Sequence, residues 1–369
     1  MHVLYDYQIF ALQEMGGISR YFVELGRRLP DYADPDSADT IKTTVLAPVH
    51  INAYLATSPV HTIGRKVTSF PGKHHILPAV NRIAGRGFLK KNPPDIFHET
   101  YYSNFSQPVR APRLLTVYDM IHERFPEQFH GVDLQIPALK KQAVARADHV
   151  IAISKSTRDD LIEYLRVAPD KITVIPLAPS FDTVEQRADF ELMDRPYLLY
   201  VGLREGVKNF QRFITAFGRS QILRSEFDVF CVGGGGFTAD EQRFFNELGV
   251  RERIRHRQAD DSLLAALYAH AALFVYPSLY EGFGLPLLEA MHCGCPVACS
   301  TAGSMPEIAG DAALYFDPLN VEELGAVMES VVQSQEVTDS LRELGYEREK
   351  MFSWDFCVAR TAALYRSLV

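Results

Sequence analysis

Short apolar runs rich in β-branched residues alternate with longer helical stretches along almost the whole chain, and they fall into two separate series. The first series has candidate strands at residues 2–5, 44–47, 95–98, 114–117, 150–153 and 172–175, and the second at 197–201, 228–232, 273–276, 297–299 and 313–316. Strands that read apolar throughout are buried on both faces, which is the condition of parallel strands covered by helices. A chain of 369 residues is too long for one ordinary core, so two α/β domains are expected. The expected boundaries are 1–180 and 195–345, with residues 346–369 as an amphipathic tail. The polar, acidic stretch from Ala178 to Asp194 is expected to be the linker.

Composition narrows the class. Hydrophobic residues at 47% and charged residues at 23% are near globular averages, which excludes disorder and a coiled coil. No apolar run approaches the roughly 20 residues of a membrane span, and the first residues lack the regions of a signal peptide, so a cytoplasmic protein is expected. A net charge of −8 argues against broad nucleic-acid binding. Cys231, Cys293, Cys295, Cys299 and Cys357 are odd in number and scattered, and they read as buried apolar thiols rather than a disulfide framework or a zinc site.

The run from Glu281 to Glu289, Glu-Gly-Phe-Gly-Leu-Pro-Leu-Leu-Glu, is the most informative stretch for function. An apolar strand at 273–276 enters a glycine-containing loop with a carboxylate at its mouth, and a helix then carries a second carboxylate. Pro286 suits the first turn of a helix, where its missing N–H is not needed, so the helix is expected to start near Gly284. Backbone amides of Phe283, Gly284 and Leu285 can then offer donors, at the positive end of the helix dipole, to a diphosphate or to sugar hydroxyls. Two carboxylates beside such a site would repel phosphate alone but can accept hydrogen bonds from hydroxyls. Together these features outline a site for a nucleotide sugar.

This motif, with Glu-Ala-Met-His-Cys-Gly-Cys-Pro-Val-Ala following from Glu289, resembles retaining glycosyltransferase family 4, of GT-B fold. The resemblance continues in Val-Gly-Leu-Arg-Glu-Gly-Val-Lys-Asn at Val201 to Asn209, in Ala-Gly-Ser-Met-Pro-Glu-Ile at Ala302 to Ile308, and in Gly-Gly-Ile-Ser-Arg at Gly16 to Arg20. It implies two facing Rossmann-like, doubly wound domains, with the nucleotide sugar on the second, the acceptor on the first, a cleft that closes between them, and a C-terminal helix crossing back to the first domain. It implies that Lys208 contacts the diphosphate, that Glu281 lies near the donor sugar, and that Glu289 binds the ribose hydroxyls. Gly16 and Gly17 would cradle the donor phosphate. Many relatives have His-Asp where this chain has Tyr118-Asp119, so Asp119 carries over directly and His122 is the candidate to replace the imidazole. Val207 stands where many relatives have arginine, and Arg204 is the candidate second cation.

The implied activity is transfer of a hexose from a nucleotide sugar, with retention, to a glycan or polyprenyl-diphosphate-linked acceptor in surface polysaccharide assembly. No cofactor and no metal are expected, since the chain has neither Asp-x-Asp at a strand end nor a cluster of zinc spacing. GDP-mannose is the preferred donor, but the stretch 254–259 departs from the family's usual Phe-Leu-Gly run and leaves UDP-sugars open. The alternatives are an epimerase or hydrolase of the same fold and a non-catalytic sugar-nucleotide-binding subunit; intact Lys208, Glu281 and Glu289 speak against the latter.

One further segment stands apart. From Gly64 to Pro94 there are Arg65, Lys66, Lys73, Arg82, Arg86, Lys90 and Lys91 and no acidic residue, so this stretch carries +7 and the remainder −15. Interleaved Phe70, Ile76, Leu77, Val80, Ile83, Phe88 and Leu89 make it either a peripheral surface for anionic membrane or a solvated loop over the acceptor side.

Overall fold

Among the described residues of the computed structural model, which are 1–33, 39–179 and 195–369, thirteen strands form two wholly parallel sheets. The expected linker lies, from residue 180 on, outside the described residues. The first sheet contains β1 (His2–Tyr5), β2 (Lys42–His50), β3 (Thr62–Lys66), β4 (Ile96–Glu99), β5 (Arg113–Val117), β6 (His149–Ala152) and β7 (Ile172–Val174), in the order β3-β2-β1-β4-β5-β6-β7. The second contains β8 (Tyr197–Val201), β9 (Asp228–Val232), β10 (Ile254–Arg257), β11 (Leu273–Tyr276), β12 (Val297–Ser300) and β13 (Leu314–Phe316), in the order β10-β9-β8-β11-β12-β13. Both orders reverse direction once, between β1 and β4 and between β8 and β11. That is the doubly wound, Rossmann-like arrangement, in which ligands bind beyond the carboxyl ends of the strands at the reversal.

Continuous burial produces these strands. All five residues of β9 and all four of β11 are buried, as strands covered on both faces must be. Helix Phe210–Arg219 covers the second sheet by placing Phe210, Phe213, Ile214 and Phe217 at the i, i+3, i+4 and i+7 positions of one stripe, all buried. The first sheet is served in the same way by helix Gly17–Arg28, which buries Tyr21, Phe22 and Leu25.

Two strands escape the apolar-run reading, β3 and β10. Each lies at the edge of its sheet, and each carries charge, Arg65 and Lys66 in β3 and Arg255 and Arg257 in β10. An edge strand has one side unpaired, so its sequence need not be apolar, and charge there discourages edge-to-edge association.

The chain divides into two units, residues 1–177 with 354–369 and residues 178–353. Helix Trp354–Ser367 therefore belongs to the first unit, where the Tyr365 hydroxyl lies 2.7 Å from His98 Nδ1 and 3.2 Å from the Tyr5 hydroxyl. His98 Nε2 is paired with Thr116 Oγ1 at 2.9 Å, and burial pushes the imidazole pKa down to about 3, so it stays neutral. The expected start of this tail at residue 346 is corrected to Trp354. Residues 346–349 complete helix Gln335–Glu349 of the second unit, and Phe352 packs edge-on against Phe283 of that unit.

Candidate active site

The second unit gathers its motif residues at the point where the strand order reverses. After β8 the chain makes a short turn, Gly206–Lys208, and Asn209 follows in the left-handed conformation. The buried Asn209 carboxamide donates to the Pro277 carbonyl at 2.9 Å and to the Pro318 carbonyl at 2.7 Å. The Leu279 amide donates to the Val207 carbonyl at 2.7 Å, so the loop after β8 is tied to the loop after β11 by main chain as well. These ties bring Lys208 Nζ to 2.7 Å from Glu281 Oε1, which also accepts from Ser278 Oγ at 2.6 Å. The Lys208 side chain keeps 26% of its exposure against 13% for Glu281, so the ammonium remains the more accessible partner.

Helix Leu285–His292 begins where the motif requires. Gly284 is its N-cap, with φ of +104°, a left-handed value that favours glycine, and proline occupies the first turn. Glu289 lies one turn beyond Leu285, and the Tyr268 hydroxyl lies 3.4 Å from its Oε2. The loop from 281 to 284 is strapped from the side of β12. Ser304 Oγ donates to the Glu281 carbonyl at 2.9 Å and to the Phe283 carbonyl at 2.7 Å. Gly303, at φ +59°, lies so close that a Cβ there would come within 2.8 Å of the Glu281 carbonyl. Asn209, Ser278 and Ser304 thus position the motif, yet no sequence expectation singled them out. The signal for Asn209 and Ser304 was their place inside segments that carry the resemblance, whereas Ser278 lies outside those segments.

In the first unit, helix Gly17–Arg28 starts at the glycine pair, with Gly16 as its N-cap. Nothing lies within 4 Å of a Cβ built on the exposed Gly17, so a ligand can approach this backbone. Asp119 and His122 follow the carboxyl end of β5. Asp119 Oδ1 accepts from the Ile121 amide at 3.1 Å and thereby opens helix Ile121–Arg124. The His122 ring stacks on Phe129 with centroids 4.0 Å apart, and burial lowers its pKa despite nearby Asp119. Sequence reasoning also missed Lys140. Its fully buried ammonium donates to the Asp119 carbonyl and to Glu123 Oε2, each at 2.8 Å, and so fixes the backbone that presents Asp119 and His122.

Arg204, expected from the sequence as a second phosphate cation, is engaged by Glu241 and the glycine loop in this structure. Its side chain, 4% exposed, pairs with Glu241 Oε1 at 2.6 Å and donates to the carbonyls of Gly233, Gly235 and Gly236 at 2.7, 2.9 and 3.1 Å. Phe237 covers its guanidinium at 4.9 Å. Burial alone would raise the Glu241 pKa, but the hydrogen bonds from Arg204 bring it below the usual carboxylate range. A cavity of about 430 Å³ beside this clamp, lined by Glu205, Arg212 and Asp240 among others, includes neither Lys208 nor Glu281. Val207, at the position of the family arginine, is buried. Among the described residues no group of His, Cys, Asp and Glu side chains is arranged to hold a metal ion, and all five cysteines are buried and free.

Comparison with known proteins adds to this geometry. Residues 15–178 match the family described as Glycosyltransferase Family 4, and residues 182–348 match the one described as Glycosyl transferases group 1. The chain is 33% identical over 286 residues to O-antigen chain mannosyltransferase B of Escherichia coli, covering 72% of this chain and 73% of that one. It is 27% identical over 237 residues to MMP alpha-(1->4)-mannosyltransferase of Mycolicibacterium hassiacum, covering 63% of this chain and 57% of that one. Among solved structures, sucrose-phosphate synthase from Thermosynechococcus elongatus superposes with a TM-score of 0.76 at 21% identity, covering 100% of this chain and 98% of that one. HepE from Anabaena in complex with UDP-glucose gives 0.75 at 16% identity and full coverage of both. These two likenesses concern the fold.

Proposed function

The chain belongs to glycosyltransferase family 4, and on that premise we propose that it transfers mannose from GDP-mannose, with retention, to a glycan or polyprenyl-diphosphate-linked acceptor during surface polysaccharide assembly. The observation that carries the reading is the Lys208–Glu281 contact where the second sheet reverses, one loop away from the N-terminus of helix Leu285–His292. Transfer from a nucleotide sugar builds charge on the leaving diphosphate. In this reading a partly exposed ammonium and a helix N-terminus stabilise negative charge there without a divalent ion. Glu281 holds the ammonium in place before the donor arrives, and Ser278 fixes the carboxylate that does so. Glu289 accepts from the ribose hydroxyls, which fixes the register of the nucleoside. In the first unit His122, kept neutral near pH 7 by its lowered pKa, hydrogen-bonds the sugar, and Asp119 stands beside it at the same strand end. Mannose is favoured by the name of the Escherichia coli relative.

In this reading the enzyme works at the inner face of a membrane, because a polyprenyl-linked acceptor is held there; among the described residues no helix is long and apolar enough to cross one. A panel of nucleotide sugars screened by thermal denaturation tests the donor. A donor at about 100 times its Kd stabilises by about 2.7 kcal/mol, which corresponds to a rise of roughly 5–10 °C for a domain of this size. GDP-mannose is expected to give that rise, and transfer to an acceptor is expected to persist in EDTA. Stabilisation by UDP-sugars alone would reassign the donor, and release of free sugar without any acceptor product would mark a hydrolase.

A further inference from the structure

The basic segment that the site does not use folds as helix Lys73–Lys91, 19 residues long. Its apolar residues are divided between two opposite faces. Leu77, Asn81, Gly85 and Leu89 recur every four residues, are all buried, and face the first unit. Asn81 accepts from the Val49 amide and donates to the Val49 carbonyl, both at 2.8 Å, and so satisfies β2 where its register with β3 shifts between Leu46 and Val49. At Gly85 a Cβ would come within 2.7 Å of Gln107 Nε2. These contacts fix the rotation of the helix, so its other face is held outward.

That outward face carries Ile76, Val80 and Ile83, which are 52%, 41% and 71% exposed. Their spacing of four and three puts them on one ridge. Arg82 and Arg86 border one side of the ridge, both lying over the Phe105 ring at 4.8 and 5.5 Å. Lys73 and Lys91 fall on the other side by helical position, and Lys90 adds a further exposed cation. No carboxylate occurs between Gly64 and Pro94. An ordinary surface helix puts its charges at the centre of the solvent face, whereas this one puts branched aliphatic side chains there and cations at the margins.

We propose that this face docks on an anionic lipid surface, the ridge entering the headgroup region while the flanking cations meet lipid phosphates. The pattern is that of a helix lying in a membrane interface. Charge decides among occupants. A second copy would bring the same excess of cations against this one, and a nucleic acid would gain nothing from an aliphatic ridge. An anionic bilayer satisfies both components. The inference deepens the reading above by supplying the surface through which an enzyme of lipid-linked acceptors would reach them, but it stands on the helix alone.

Sedimentation of the full chain with vesicles tests it. Wild type is expected to bind vesicles containing phosphatidylglycerol at low salt, to lose binding as salt rises, and to ignore pure phosphatidylcholine. Combining Lys90→Glu with Lys91→Glu removes two cations from that surface and adds two anions, so partitioning should fall by at least about 30-fold. Ile83→Asp should lower it too. Both variants change exposed side chains, so unchanged melting temperatures and unchanged donor-induced stabilisation are expected alongside. Loss of donor stabilisation in wild type, with vesicle binding intact, would defeat the donor assignment and leave the docking surface standing. Absence of wild-type binding to anionic vesicles at low salt, binding equal to neutral vesicles, or indifference to either variant overturns the proposal. So does a wild-type dimer in solution that Ile83→Asp converts to monomer.

Discussion

Lys208 and Glu281 are 73 positions apart in the sequence and 2.7 Å apart in space. The pairing holds the ammonium in one place without burying it, and its effect on activity can be separated from that of the ribose carboxylate. Lys208→Ala is expected to lower kcat by about 10- to 1000-fold, the range for losing one charge donor that acts in the transition state. Glu289→Ala is expected to raise KM for the donor and leave kcat closer to wild type. Steady-state kinetics with varied donor checks both, and a Lys208→Ala enzyme of full turnover would remove Lys208 from the diphosphate. Glu281 and Glu289 were legible in the sequence because their motif has a fixed spacing on one loop and one helix, and Lys208 through the resemblance carried by Val201 to Asn209. Ser304 was not, because its role is to hold the backbone of residues 281 and 283 from a different strand. Lys140 was not either, since a lysine in a helical stretch reads as solvated until its burial is seen.

Among elements, the loop of four glycines after β9 owes its shape to one side chain. Gly233, Gly234 and Gly235 have φ of +93°, +72° and +72°, and their carbonyls turn inward onto Arg204. Removing one partner of a buried ion pair leaves the other uncompensated, so Arg204→Met is expected to destabilise the second unit by about 3–5 kcal/mol. Arg204→Lys should not restore it, because an ammonium cannot fork across Glu241 and several carbonyls at once. Urea denaturation followed by far-UV circular dichroism reads the loss. A variant of unchanged stability but reduced turnover would instead return Arg204 to the phosphate. The helix start near Gly284 was readable from local capping chemistry, whereas the edge strands β3 and β10 were not, because half their surroundings is solvent and their sequences follow no apolar period.

At the scale of the whole molecule, the chain returns to its first unit through helix Trp354–Ser367, which buries Trp354, Cys357, Val358, Ala362, Leu364 and Tyr365. At about 1.5–3 kcal/mol for each fully buried large apolar side chain, their loss approaches the entire stability of a typical domain. It would also open the polar cluster of His98, Tyr5 and Thr116 to water. Deleting residues 354–369 is therefore expected to abolish the calorimetric transition of the first unit and to preserve that of the second, whose core cluster contains none of these residues. Two intact transitions in the truncated chain would contradict this. By itself the sequence determined the two parallel α/β series, the helix start near Gly284 and the positions of the paired carboxylates, because burial period and capping act within a few residues. Only the tertiary structure decided that Arg204 turns inward to Glu241, 37 positions away, that Lys208 meets Glu281, and that the basic helix holds an apolar ridge outward. Those outcomes depend on which side chains distant segments bring together, and no local pattern encodes that.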